Sequence, residues 1–314
     1  MARKTNLDLI NECDSFPYPS IGPEEYHAVV SGFHKFKIAQ CDAILGYIPS
    51  WAVDRVTWSG DWDIDHSSKT VTLHASETGN LDEAFAKQAL LERSKGTFKV
   101  LLGWRNELYG VYGPDKKLLM SMERAASPLF GINTFGVHMT AYYVEGGKMK
   151  VWVPRRAATK STYGGMLDNT VAGGISVGEN PFESLVRESQ EEASLPEDIV
   201  RKRAKAVGTV TYIHIRDSRA GGETGLFQPE CQYVYDLELP ATVVPKPQDD
   251  EVESFSVMDV EEIQERMAAG EFKPNCAVIM LDFFVRHGIL REDNEMDYVE
   301  IVSRLHRRLE FPIP

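Results

Sequence analysis

The chain has 314 residues, with Asp and Glu outnumbering Lys and Arg 47 to 34 for a formal charge of −13. That length suffices for two domains with substantial cores, and the acidic excess argues against a nucleic-acid surface, where basic stripes are expected. No run of about 18 apolar residues could span a membrane, the first dozen residues lack the apolar stretch of a leader, and Cys13, Cys41, Cys231 and Cys276 follow no disulfide or zinc spacing, so a cytoplasmic protein is expected.

In chain order, residues 1–133 read as a smaller mixed α/β domain. Apolar spacing predicts helices over 8–13, 27–39 and 81–94, the last with Phe85, Ala89 and Leu90 on one side. Strands are expected at 71–74, 98–102, 108–111 and 118–122, with turns at 103–106 and 113–116. Trp51, Trp58, Trp62 and Trp104 read as core or interface residues. A second domain is expected over 134–314. It opens with a hairpin pairing 136–144 with 149–157 around a turn at 145–148. Strands over 170–172, 203–215, 230–239 and 254–258 follow. The closing helices are 260–268, capped by Asp259, one starting at Asn275 and stopped by His287-Gly288, and 294–309. Helices on both sides of a mixed sheet make an α/β/α sandwich.

The chemistry concentrates in residues 172–195, AGGISVGENPFESLVRESQEEASL. A glycine pair, Gly173-Gly174, precedes Glu179 and a helix carrying Arg187, Glu188, Glu191 and Glu192. At about 100° per residue the last three glutamates share a wedge of roughly 100°. Phe182, Leu185, Val186, Ser189 and Ala193 lie opposite, on the side that packs on a core. Carboxylates at i,i+3 and i,i+4 repel one another. A merely solvated face interleaves Glu with Lys, whereas Arg187 is the one base in this stretch. Hard oxygen ligands beside a flexible glycine turn suit Mg²⁺ or Mn²⁺ and a bound phosphate.

The same positions match the Nudix box, Gly-x5-Glu-x7-Arg-Glu-U-x-Glu-Glu-x-Gly-U, where U is a bulky aliphatic residue. The chain keeps Gly173, Glu179, Arg187, Glu188, Glu191, Glu192 and Leu195, with Ser189 at an aliphatic position and Ser194 at the usual glycine. A narrower resemblance covers nearly the whole chain, in GVHMTAYY, KVWVPRRAATKSTYGGMLDNTVAGGI, YVYDLELP, DDEVESF and GEFKPNCAVIMLDFFVRHGI. In these phrases it is similar to the Nudix family found alone or fused to thiamine pyrophosphokinase, whose members carry an extra N-terminal domain. The resemblance implies Mg²⁺- or Mn²⁺-dependent hydrolysis of thiamine diphosphate, preferentially of its damaged oxo and oxy forms, to monophosphate and phosphate. It implies Glu188 and Glu192 as direct ligands with Glu191 beside them, and the Ala172 carbonyl as a further ligand. Arg187 and Glu179 are implied as the orienting pair. Glu251 resembles the late acid that completes the metal site or acts as base.

The substrate side is open to more than one reading. Arg155, Arg156 and Lys160, at a strand end, suit a diphosphate or are ordinary surface charge. Phe135, His138, Trp152, Tyr163 and Met166 suit stacking on a flat heteroaromatic ring, or are core. His138 reads as a hydrogen-bonded strand residue, because no His or Cys accompanies it at ligand spacing. A nucleoside-diphosphate or ADP-ribose-type hydrolase is the alternative. A non-catalytic sensor of the same fold is disfavoured by the complete set of box glutamates. The expected partner is a small-molecule diphosphate, with neither nucleic acid nor membrane.

Overall fold

The computed structural model describes residues 3–314. Helices α1 (Asn6–Cys13) and α2 (Pro23–Val30) precede strands β1 (Phe33–Ile38) and β2 (Cys41–Pro49), the short α3 (Ser50–Val53), and strands β3 (Trp62–Asp65) and β4 (Thr70–Leu73). The four strands form one sheet in the order β2-β1-β4-β3. Helix α4 (Leu81–Lys95) is capped at one end by the Asn80 side chain and closed by Gly96 in the left-handed conformation. The hairpin of β5 (Leu108–Tyr112) and β6 (Leu118–Glu123) and the short α5 (Ser127–Phe130) complete this region. Its core gathers Phe36, Trp62, Val71, Phe85, Met120 and Phe130, with Trp51, Trp58 and Trp104 packed at the margin. The tryptophans are therefore packing residues, as their size predicts.

Two local expectations are corrected here. The helix expected over 27–39 ends at Val30, because FHKFKI buries every second side chain and pairs as a strand with β2 and β4. The strand expected over 98–102 is a 3₁₀ turn, Lys99–Gly103. Its first N–H groups donate to the Glu223 carboxylate from the far half of the chain, at 2.6 and 3.0 Å. Strand β2 carries no sequence signal strong enough to be foreseen.

The second sheet is built from β7 (Thr134–Glu145), β8 (Lys148–Arg156), β9 (Val171–Gly174), β10 (Lys205–Ile215), β11 (Phe227–Glu238) and β12 (Val252–Asp259). Its order is β10-β11-β7-β8-β12, with β11 parallel to β7 and the other neighbours antiparallel. Strand β7 divides its free edge: residues 142–145 pair with β8, and residues 136–139 pair with β9. Helices α6 (Pro181–Ala193) and α7 (Glu197–Arg203) cover one face over Val137, Met139, Ala141 and Leu237. Helices α8 (Val260–Ala268), α9 (Pro274–Arg286) and α10 (Tyr298–Arg304) cover the other over Val151, Val153, Val210 and Val234. This is the expected α/β/α sandwich. Helix α9 starts one residue before Asn275 with Pro274 in its first turn, and α10 is much shorter than the 294–309 expected.

Helix α1 packs on α9, α10 and β10, not on the first sheet, and its Leu9, Ile10 and Cys13 join the core under α9. The buried Arg307 guanidinium donates to Asp14 at 3.0 Å and locks this arrangement. No helix among the described residues is long and apolar enough to cross a membrane.

Helix α6 ends at Ser194, held in the left-handed region at φ 51°. A Cβ is disfavoured there by about 1–2 kcal/mol, partly offset by the greater freedom of unfolded glycine. Ser194→Gly is therefore expected to stabilise the protein by roughly 0.5–1 kcal/mol, read as a higher urea midpoint at unchanged slope.

Candidate active site

The glycine pair of β9 sits against the glutamate helix. A Cβ on Gly173 would lie 2.1 Å from Cδ of Glu188, so only glycine lets that carboxylate rest on the strand. Asn180 caps α6, with Pro181 in its first turn. The amphipathic sequence then buries Leu185, Val186 and Ala193 on the sheet and turns the acids to the other side.

Arg187 organises these acids. Its Nε and Nη2 donate to the two carboxylate oxygens of Glu179 at 2.9 and 3.1 Å, and Nη1 donates to Glu188 and Glu191, both at 2.9 Å. Ser184 adds a hydroxyl donor to Glu179 at 2.7 Å. Burial works to raise the Glu179 carboxyl, but the Arg187 fork holds it below the usual carboxylate range. Glu192 accepts the Ala172 N–H at 2.9 Å. Burial and the neighbouring Glu188 charge push its carboxyl well up. Burial also lifts Glu188, despite Arg187, to about 7. Glu191 is exposed.

A cleft of about 250 Å³ opens beside this cluster and meets it at Ala172, Gly173 and Gly174. Phe135, Tyr163 and His138 line it. Phe135 stands edge-on to Tyr112, ring centroids 5.9 Å apart. The Tyr163 hydroxyl lies 3.3 Å from His214 Nε2.

Several expected substrate residues stand elsewhere. Trp152 is not among the described residues lining the cleft; it packs with the core under α6, against Tyr143. Arg156 is buried in an ion pair with Asp168 at 2.5 Å and also donates to the Thr162 carbonyl. Arg155 donates to the Gly165 carbonyl at 2.6 Å. Both arginines brace the 157–167 loop, because their strand ends where that loop folds back on it. Met166 is tied into the same loop, its carbonyl accepting the Arg156 N–H. Lys160 pairs with Glu251, which also takes Arg105 Nη1 at 3.4 Å. Burial works to raise Glu251, but these two cations hold it below its ordinary value.

His138 donates Nδ1–H to Asn169 Oδ1 at 2.8 Å, the polarity set by Asn169 Nδ2 donating to the Cys276 carbonyl. Burial depresses it to about 4, so it is a neutral ring with Nε2 as acceptor. The sequence offered no metal partner for it, yet the fold brings Asp168 and Cys276 alongside, their donor atoms within 4.8 Å of one another. Each is already engaged: Cys276 Sγ donates to Asp168 at 2.6 Å, and Asp168 holds Arg156.

Two groups of cleft residues went unforeseen. Gln228, Glu230 and Gln232 of β11, Tyr212 and His214 of β10, and Arg216 just beyond it form a polar wall. Glu230 accepts Tyr212 OH at 2.5 Å and Gln232 Nε2 at 2.7 Å, leaving Gln232 Oε1 and His214 Nδ1 buried without partners. The second group, Arg105, Tyr109 and Arg124, comes from the β5–β6 region.

The chain is 41% identical, over 98% of its own length and 92% of the other, to the uncharacterized protein YJR142W of Saccharomyces cerevisiae. Residues 134–276 match the model of the NUDIX domain. The chain belongs to the Nudix family. Residues 44–134 match a domain of unknown function, DUF4743. Nudix hydrolase 20, chloroplastic, of Arabidopsis thaliana is 40% identical over 67% of this chain, which spans about half of that relative, 54%. The crystal structure of DR0079 from Deinococcus radiodurans aligns with 64% of this chain and all of its own, at 20% identity and a TM-score of 0.41. As a Nudix hydrolase the protein acts on phosphorus anhydrides.

The donor set fits the divalent cation that Nudix hydrolases use. The half-buried Glu188 and the buried Glu192 lie one turn apart, and burial raises both carboxyls. A cation between them would relieve both the burial penalty and the mutual repulsion.

Proposed function

We propose that this Nudix hydrolase cleaves the diphosphate of thiamine diphosphate, and preferentially of its oxo and oxy analogues, using Mg²⁺ or Mn²⁺. The observation that carries this reading is one continuous cleft. It brings together the glycine turn Ala172, Gly173 and Gly174, on which Glu188 rests, the aromatic Phe135, and the hydrogen-bonding wall of Glu230, Gln232 and His214. That lining suits an anhydride joined to a flat ring with polar edges. Glu188 and Glu192 hold the cation, with Glu191 and the Ala172 carbonyl beside them. Arg187 and Glu179 orient them, and Glu251 completes the site. When bound, the cation spreads charge from the phosphoryl oxygens. The chain's own contribution is to fix the carboxylates through Arg187 and to offer the ring hydrogen-bond partners along the polar wall.

We divide the chain at Thr134 into the two units, with α1 reaching across to pack on the second. The four cysteines are free thiols. Burial raises Cys231 to about 11 and Cys276 well above its ordinary value. Such thiols are not nucleophiles at neutral pH and accord with a reducing, cytoplasmic setting.

The polar wall favours a ring that offers both a donor and an acceptor. Gln232 Oε1 awaits a donor, which the ring N–H of the oxy form supplies as the thiamine amino group does, and Lys273 can meet the carbonyl that the oxy form alone bears. Leaving one buried polar group unpaired costs about 1–3 kcal/mol, or roughly 5- to 150-fold in rate preference. Oxythiamine diphosphate is expected to have the higher kcat/KM, thiamine diphosphate a lower one, and ADP-ribose little activity. The check is phosphate release from all three at one Mg²⁺ concentration. If ADP-ribose is the best substrate by about tenfold or more, the nucleoside-diphosphate alternative replaces this one.

A further inference from the structure

We propose that the N-terminal unit is part of the catalytic centre, and that its Arg124 and Arg105 bind the phosphoryl oxygens of the substrate. This rests on the diphosphate-hydrolase reading and not on the identity of the ring. Both guanidinium groups line the cleft. Arg124 lies over the Tyr109 ring at 5.5 Å, with Cζ 3.3 Å from the position a Cβ on Gly174 would take. It therefore stands directly on the glycine turn of the box. Arg105 reaches Glu251.

Their presentation is built into the fold. The buried Glu123 carboxylate accepts the backbone N–H of Arg105 at 2.9 Å and of Ala125 at 3.3 Å, so one side chain fixes both arginine-bearing segments. Glu107 takes Arg124 Nη1 at 2.8 Å and the Ser176 hydroxyl, in the box loop, at 3.2 Å. The Val177 N–H donates to the Leu108 carbonyl at 2.8 Å. The N-terminal hairpin and the box loop are thus one assembly.

The charge balance gives the arginines their role. The site concentrates carboxylates, and a diphosphate brings more negative charge. Arg187 is committed to Glu179, Glu188 and Glu191, Arg156 to Asp168, and Arg155 to the Gly165 carbonyl. Lys273, near His138, and Arg216, which donates to the Gly221 and Ala220 carbonyls, also line the cleft. Lys160 pairs with Glu251, which leaves Arg124 on the glycine turn of the box and Arg105, whose contact with the same Glu251 is the longer one at 3.4 Å. Arg124 gives Nη1 to Glu107, and the rest of its planar donor set is free to take phosphoryl oxygens in pairs.

The test uses methylenediphosphonate, a diphosphate that resists hydrolysis, titrated by calorimetry into the full chain with and without Mg²⁺, alongside steady-state kinetics. Arg124→Gln is expected to weaken probe binding about 10- to 100-fold in both conditions and to lower kcat/KM at least as much. Arg124→Lys recovers only part of the loss, and Arg105→Gln loses about 3- to 10-fold. Glu107→Gln, which loosens the hold on Arg124 but keeps its guanidinium, loses about threefold, well short of the loss in Arg124→Gln. Unchanged binding by Arg124→Gln overturns the proposal, and so does an equal loss in Glu107→Gln, which would make Arg124 a loop anchor. If Arg124→Gln does not fold, the half-exposed Arg105→Gln decides, and unchanged affinity there overturns it. A wild-type chain that fails to bind the probe with Mg²⁺ overturns the diphosphate reading as well; a wild-type chain that binds while the variants match it overturns this inference alone.

Discussion

Glu192→Gln is expected to lower turnover on the order of 10²-fold or more while leaving the fold intact. The amide oxygen can still accept the Ala172 N–H, so local geometry survives and only the charge is lost. The metal-free protein should gain from the change. Glu188 and Glu192 both have carboxyls raised by burial, Glu188 from 4.5 to about 7. A group raised in the folded state contributes stability that is fully present below its unfolded pKa and is lost as pH rises through the folded value. Wild-type protein in chelator should therefore weaken between pH 5 and pH 8, by an amount on the order of 1–3 kcal/mol. Glu192→Gln should flatten that slope. Urea midpoints at the two pH values check the stability half, and near-normal hydrolysis at saturating Mg²⁺ would sink the ligand role.

Arg187→Lys is expected to lose roughly 10- to 100-fold in activity although the charge is kept. The guanidinium serves three carboxylates at once, forking onto Glu179 while Nη1 spans Glu188 and Glu191. A single ammonium reaches one or two of them, freeing the others to repel and turn. The Mg²⁺ activation curve should shift to higher concentration. Superimposable curves for the two proteins would make Arg187 an ordinary surface arginine.

The glutamate helix was legible because its chemistry is local. Spacing along one helix places Glu188, Glu191, Glu192 and Arg187 together whatever the rest of the chain does. The sandwich was legible for the same reason, from strand alternation and apolar helix faces. The substrate side was not, because it is assembled from segments far apart in sequence. Arg155 and Arg156 looked free to meet phosphate, yet the loop folding back over their strand supplies Gly165 and Asp168 as partners. One signal was available. Gln228, Glu230 and Gln232 alternate along β11, a strand with neighbours on both sides, where polar residues at period two are costly unless they face a cavity. Nothing in the sequence linked Arg124 to Gly174. Helix 27–39 failed because HKFKI fits helical and extended spacing alike, and pairing with β2 and β4 decided it.

The docking of α1 bears on how the protein is made. This helix is made long before the surfaces that bury it, since its Leu9, Ile10 and Cys13 are covered by α9, α10 and β10. Asp14 meets the Ile213 N–H 199 residues later, and Arg304 and Arg307 later still. During synthesis the first sheet, with its own core, can close while α1 still waits with an apolar face and no surface to bury it. Capture of α1 then becomes the last long-range step, since the loop it closes is among the longest in the chain. A nascent chain stalled before α9 would expose that face to chaperones, and release would depend on α9 and α10 arriving.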